Sequence, residues 1–305
     1  MTLAGIPTRT PSRAAVSVDE LKRAWAAVQE GQFRHRPAAG SRTRRSAYSG
    51  DVASRPAAQD LDVWTPAPGE QVLPVLGCAG SAGTTTVALA VALAAGIPAR
   101  VVECSSVTAS GLAAASNAEL GLHDSGWRQG KRDQVLLERA SDVLVRVDEV
   151  PMPAPASDAD PSQLDGGLTV LDIGWELGQL LATPSWLNET VRAAPTVIAV
   201  TPATVPGLRR LEGALELLGA DHVIAAVIGP RFKKWPKGVA HSAGLNTRRL
   251  LERERFVEIP EDRALAVSGL DSTPLPAHLL AASAHLLAQT HVTTGPAPSP
   301  TTENA

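Results

Sequence analysis

The sequence predicts an α/β domain of three layers with a mostly parallel sheet over residues 71–290, preceded by a basic N-terminal arm. Three observations carry this prediction. From residue 71 onward, short apolar runs alternate with helical stretches. The first apolar run feeds a loop of small residues that opens straight into an apolar helix. Apolar residues make up 44% of the 305-residue chain but aromatics only 3%, so the core has to be built from Ala, Val, Leu and Ile. Apolar strands separated by helices are the pattern of a parallel sheet covered on both faces.

The arm comes first. Residues 1–59 hold ten Lys or Arg and four Asp or Glu, while the remainder holds 18 and 27, so a basic arm precedes an acidic body. Such an arm is a candidate contact for nucleic acid or an acidic partner, or a solvated disordered tail. Within it, Ser17 to Gln29 reads as a short helix. Ser17 and Glu20 form a capping box, Val16 and Leu21 stand at staple positions, and Gly31 stops the helix. Leu21, Trp25 and Val28 share one face, and a helix this short needs something to dock on, the main domain or a protein partner. Residues 34–70, with Arg34, Arg36, Arg42, Arg44 and Arg45, read as a linker that ends in the turn Trp64–Gly69.

In the domain, strands are expected at Val72–Leu76, Arg100–Cys104, Asp142–Val147, Leu168–Ile173, Thr196–Val200, His222–Ile228 and Phe256–Ile259. Helices are expected at Thr84–Ala95, Arg132–Ala140, Pro206–Leu218, Leu245–Arg253 and Pro276–Gln289. Residues 148–166 read as a surface excursion and 291–305 as a disordered tail. Cys78 and Cys104 lie in no CxxC pattern, which argues against a disulfide framework or a cysteine metal site and fits a reducing cytoplasm. The N-terminus lacks the apolar stretch of a signal peptide, and Val87–Ala95 is too short to span a bilayer, so a cytoplasmic protein without a membrane anchor is expected.

The chemistry-bearing segment is Gly77-Cys78-Ala79-Gly80-Ser81-Ala82-Gly83-Thr84-Thr85-Thr86. A strand, a glycine-containing loop and a helix N-terminus together form an anion cradle, because small residues let backbone N–H groups turn inward and the helix end adds partial positive charge. The segment resembles the deviant Walker A loop of ParA/MinD-family ATPases, K-G-G-x-G-K-T-T. Aligned on the last glycine, Gly80 and Gly83 match, Thr85 falls on the Mg²⁺-binding hydroxyl and Thr86 also matches. Ser81 replaces a glycine, Thr84 replaces the Walker lysine and Ala79 replaces the signature lysine. The resemblance implies a three-layer P-loop NTPase-like fold, with Gly80, Ser81, Ala82, Gly83, Thr84, Thr85 and Thr86 against the phosphates of ATP or ADP. Without the lysine, a neutral short Thr84 predicts weak nucleotide binding or none, and impaired hydrolysis.

Downstream segments extend the resemblance over about 220 residues. Glu103 falls near the first aspartate of the family's second-strand motif, where it could orient water or Mg²⁺; the alternative is a strand-end carboxylate facing solvent. Leu168–Gly174 resembles a Walker B strand with Asp172 in the metal shell beside Thr85. Gly229-Pro230-Arg231 stands where family members often have an adenine-binding Asn, and Phe256–Asp262 resembles the family's closing segment.

Arg231-Phe232-Lys233-Lys234-Trp235-Pro236-Lys237 holds three of the five lysines. It is expected to supply through Lys233, Lys234 and Lys237 the positive charge that the loop lacks, to nucleotide or nucleic acid, or else to be a solvated loop with Trp235 packed on the domain. No G-x-S-x-G elbow exists, and the seven histidines are scattered, so a Ser/His/Asp hydrolase is not supported. Two functions stand. One is a degenerate ParA/MinD-like regulator in bacterial plasmid or chromosome partition, positioning of cell machinery or maintenance of mobile elements, for which the resemblance implies a homodimer. The other is a non-enzymatic adaptor that uses the arm and its helix and needs no cofactor.

Overall fold

The structure, a computed structural model, describes residues 63–154 and 167–294. The expected Ser17–Gln29 helix with Leu21, Trp25 and Val28, the arginine linker up to residue 62, and the tail from 295 lie outside the described residues. The chain divides by contacts into Met1–Ala57 and Ala58–Ala305, and every described residue belongs to the second unit.

Nine strands form one sheet: β1 Gln71–Gly77, β2 Ala99–Cys104, β3 Ala118–Leu122, β4 Trp127–Arg132, β5 Val135–Ala140, β6 Leu168–Ile173, β7 Val197–Pro202, β8 Val223–Gly229 and β9 Phe256–Pro260. Their spatial order is β3-β4-β5-β2-β6-β1-β7-β8-β9. From β5 to β9 every neighbouring pair is parallel, whereas β3–β4 and β4–β5 are antiparallel. The helices are α1 Thr84–Ala94, α2 Leu177–Ala182, α3 Trp186–Ala193, α4 Val205–Leu218, α5 Lys237–His241, α6 Leu245–Glu252, α7 Arg263–Ser268 and α8 Ala277–Ala288.

The alternation of strand side chains divides the core in two. Val75, Val101, Val170, Ile198, Ile224 and Val257 pack with α1 and α8 on one face. Leu76, Val102, Leu171, Ala199 and Ala225 pack with α2, α3, α4 and α6 on the other. Six consecutive residues of α1, Val87 to Ala92, are buried. A helix that is apolar all round needs cover on every side, and α1 has it between the sheet and α8.

Two expected elements are corrected. Arg132–Ala140 is not a helix: it is the end of β4, a tight turn and β5. Arg132 and Val135 pair across the turn, and Asp133 adopts φ 53°, a left-handed conformation that Asp tolerates. Asp142–Val147 is not a strand, because β5 already occupies the place beside β2. Of its residues, Leu144 and Val147 are buried while Val143 and Val145 are exposed, an alternation without a ladder.

The start of the expected excursion is also corrected, because residues 150–154 are tied down. The indole N–H groups of Trp186, Trp127 and Trp64 donate to the carbonyls of Val150 (2.8 Å), Met152 (3.1 Å) and Pro153 (3.1 Å). Arg100 donates to the Ala154 carbonyl at 2.8 Å. Arg100 is fully buried near the start of β2, ion-paired to Glu70 at 2.7 Å and Glu138 at 3.1 Å, and its Nε donates to Thr169 at 2.7 Å. Gln129 donates to the other oxygen of Glu138 at 2.9 Å, so the buried charges are paired and hydrogen-bonded. Trp64 is itself buried, edge-on to Trp186 at 5.5 Å. The packed body therefore begins before Gln71.

Candidate functional site

The site lies at the C-terminal ends of the parallel strands, beside β1, where successive connections leave in opposite directions. In open α/β sheets this is where ligands bind. A cleft of about 1660 Å³ opens there, walled by the loop after β1, the ends of β6, β7, β8 and β9, and one face of α4.

The loop is shaped by its glycines. The Cys78 N–H donates to the Val200 carbonyl at 2.8 Å, which holds the loop entrance against β7. A Cβ on Gly77 would lie 2.5 Å from the Thr84 hydroxyl, so the loop closes back over the strand end. Gly83 caps α1 with φ 85°, and a Cβ there would meet Ile228 at 2.7 Å. Both the backbone angle and the space call for glycine. Ser81 also has positive φ, at 56°. No amide from Ala79 to Thr86 donates to another described residue, whereas the next one, Val87, bonds to Gly83 at 3.0 Å. A run of unpaired N–H groups at the start of a helix is a cradle suited to an anion. Burial pushes the Cys78 thiol in this loop up to about 12.

Asp172, 1% exposed, sits at the end of β6 with Val75 and Glu103 as its register partners. Neither of its carboxyl oxygens completes a hydrogen bond. Burial raises its pKa to about 7; the nearby Thr85 hydroxyl opposes the rise and the charge of Glu103 adds to it. Thr85 is thus close enough to act on Asp172 electrostatically, while its geometry falls short of a formed hydrogen bond.

Glu103 does not face solvent, and its oxygens are engaged. It is 5% exposed, and it accepts from the Ser110 hydroxyl at 2.9 Å and the amides of Gly111 and Leu112 at 2.8 and 2.9 Å. It anchors the turn after β2.

Arg231, Lys233, Lys234 and Lys237 are exposed, and none of them lines the cleft. Trp235 is buried against Phe232 and Phe256, with ring centroids at 4.9 and 5.8 Å, and its indole donates to Pro230 at 2.8 Å. The amide of Phe232 donates to Glu258. These contacts hold the loop on the domain.

Five carboxylates line the cleft, those of Asp172, Glu176, Glu216, Glu261 and Asp262, and among the described lining residues Arg210 is the one cation. Among the lining residues that escaped sequence reasoning are Arg210 and Trp175. Trp175 stands three positions after Asp172, a spacing that could have drawn attention. Arg210 shares a helical face with Gly213 and Leu217, a pattern that says nothing of a cleft until β6 and α4 are placed together.

A divalent ion fits the orphaned carboxylate of Asp172 beside the Thr85 hydroxyl. No group of three or more His, Cys, Asp or Glu among the described residues could hold a metal alone. Such an ion would therefore need oxygens from a phosphate and from water, as Mg²⁺ usually does. No helix among the described residues is long and apolar enough to cross a membrane.

Parallel sheet, amide cradle and strand-end aspartate together define a P-loop α/β domain. No family model matches the chain, and no curated protein matches it. Among solved structures its neighbours are P-loop ATPases of the ParA/MinD kind. The cell division ATPase MinD of Pyrococcus furiosus is 15% identical, with 72% of this chain and 98% of that one covered and a TM-score of 0.45. MinD of Aquifex aeolicus is 16% identical, with 74% and 100% covered and a TM-score of 0.42. A protein described as a plasmid partition protein of Borrelia burgdorferi, bound to AMPPNP, is 14% identical, with 72% and 97% covered and a TM-score of 0.41.

Proposed function

We propose that this chain is a degenerate P-loop regulator that binds a nucleoside polyphosphate weakly, with Mg²⁺, and hydrolyses it poorly. The observation that carries the reading is the run of unpaired amides from Ala79 to Thr86 at the start of α1, with the partnerless Asp172 next to Thr85. Gly80, Ser81, Ala82, Gly83 and Thr84 to Thr86 hold the phosphates through backbone N–H groups, and Thr85 and Asp172 hold the metal shell. When bound, Mg²⁺ supplies neutralising charge to the phosphate oxygens. The loop contributes no cation, since Thr84 and Ala79 stand where lysines would, so the loop itself meets charge that develops in phosphoryl transfer with backbone dipoles. The cellular role proposed with it is regulation of bacterial plasmid or chromosome partition, or of the positioning of cell machinery, as a homodimer.

A second reading is favoured by the acid-rich cleft wall: a nucleotide-independent adaptor, with the N-terminal helix and basic arm as its contacts for protein or nucleic acid. Calorimetry with ATP, ADP and GTP in the presence of Mg²⁺ separates the two. Micromolar binding abolished by Asp172→Ala or Thr85→Ala supports the regulator, and binding that is absent or millimolar supports the adaptor. Turnover above roughly one per minute contradicts impaired chemistry, since ordinary enzymes run at about 1–10³ s⁻¹.

A further inference from the structure

The cleft reaches both faces of the sheet. Thr84, Thr85 and Asp172 belong to the α1 side, where the loop offers amides and no charge. Trp175 packs in the core cluster of the opposite face, together with Leu208, Leu211 and Ala214 of α4. Arg210 stands on that same helix, one turn before Ala214, and both Arg210 and Ala214 line the cleft.

Two polar groups on this α4 side have no partner among the described residues. Arg210 is exposed at the cleft and forms no ion pair or hydrogen bond with a described residue. Trp175 is 6% exposed, and its indole Nε1 is buried without a hydrogen-bond partner. The contrast with the other buried tryptophans is informative, because Trp64, Trp127, Trp186 and Trp235 all donate to a backbone carbonyl. An unmet buried N–H costs free energy, which an acceptor oxygen from a ligand would recover once a small shift of the side chains around Trp175 uncovers the indole edge.

We propose that Arg210 and the Trp175 indole form the charged anion subsite of this cleft, on the α4 side, and take over the phosphate-binding work of the absent loop lysine. The ligand class is the phosphate chain of a nucleoside polyphosphate seated against the loop, so the inference rests on the nucleotide-binding reading above. A guanidinium suits this task because its planar donors match phosphate oxygens two at a time. It also offsets the surrounding carboxylates, which would otherwise repel a polyanion.

The test is calorimetric titration of the full chain with MgADP and MgATP. Arg210→Ala is expected to weaken binding by about ten- to hundred-fold and to flatten its salt dependence, the size of one or two charge-assisted hydrogen bonds. Arg210→Lys should recover part of the loss, since charge returns without the fork, and Trp175→Phe, which keeps an aromatic side chain and removes the donor, should weaken binding several-fold. Lys237→Ala, off the cleft, serves as the charge control and should bind as the parent does. Arg210→Ala binding equal to the parent, with Asp172→Ala still abolishing it, overturns the subsite and leaves the loop reading intact. A parent chain that binds neither nucleotide overturns both readings.

Discussion

Glu103 and Asp172 are register partners on neighbouring parallel strands, and they meet opposite fates: the first accepts three hydrogen bonds and the second none. One carboxylate is engaged in the turn after β2 and the other is buried without a hydrogen-bond partner.

The raised pKa of Asp172 has a consequence for stability. In the unfolded chain the carboxyl ionises near 3.8, and in the fold it keeps its proton to about 7. Between these values the native state binds the extra proton, so stability falls as pH rises from about 4 to 7 and stays low above. The full shift corresponds to an upper bound of about 4 kcal/mol. Without divalent metal, Asp172→Asn should be more stable than the parent at pH 8 and equal to it below pH 4. Urea unfolding at pH 4, 6 and 8 checks this, and a pH-independent difference would count against it.

Glu103→Ala should behave in the opposite manner. It strands the Gly111 and Leu112 amides and the Ser110 hydroxyl, at a cost of about 1–3 kcal/mol. Hydrogen exchange should show lost protection at Gly111 and Leu112, and equal protection in variant and parent would refute the anchoring role.

Arg100→Ala leaves Glu70 and Glu138 as uncompensated buried charges. The expected loss is about 3–5 kcal/mol. Because Arg100 lies at the start of β2, away from the cleft, any folded fraction should bind nucleotide with unchanged affinity. The denaturation midpoint and a titration of the same sample check both halves of the statement.

Thr84→Lys restores a cation at the loop position that the sequence leaves neutral. Nucleotide affinity is expected to rise by about tenfold or more, as a charge-assisted hydrogen bond to phosphate allows. Unchanged affinity would mean that loop charge is not what limits binding.

Much of the parallel frame was legible in the sequence, because buried parallel strands are short, continuous apolar runs. Val72–Leu76, Leu168–Ile173 and His222–Ile228 fall within a residue or two of β1, β6 and β8. The β3–β4–β5 meander was not legible. β3 is exposed throughout, β4 carries the charges of Arg128, Lys131 and Arg132, and Val135–Ala140 consists mostly of good helix formers that only pairing with β2 makes a strand. In the site, the loop and Asp172 could be found because strand, loop and helix are contiguous in sequence. Arg210 could not, since its meaning comes from the cleft that brings β6 and α4 together, and Trp175 had only its spacing from Asp172 to mark it.

In the proposed site, backbone N–H groups from Ala79 to Thr86 hold the phosphates. ¹⁵N-resolved NMR can follow those amides one by one during titration of the full chain with MgADP. The signals of Gly80, Gly83, Thr84, Thr85 and Thr86 are expected to move with ligand while those of Gln71 and Arg100, toward the opposite ends of β1 and β2, stay in place. Binding that leaves the loop amides unmoved, or no binding at all, would contradict the amide cradle.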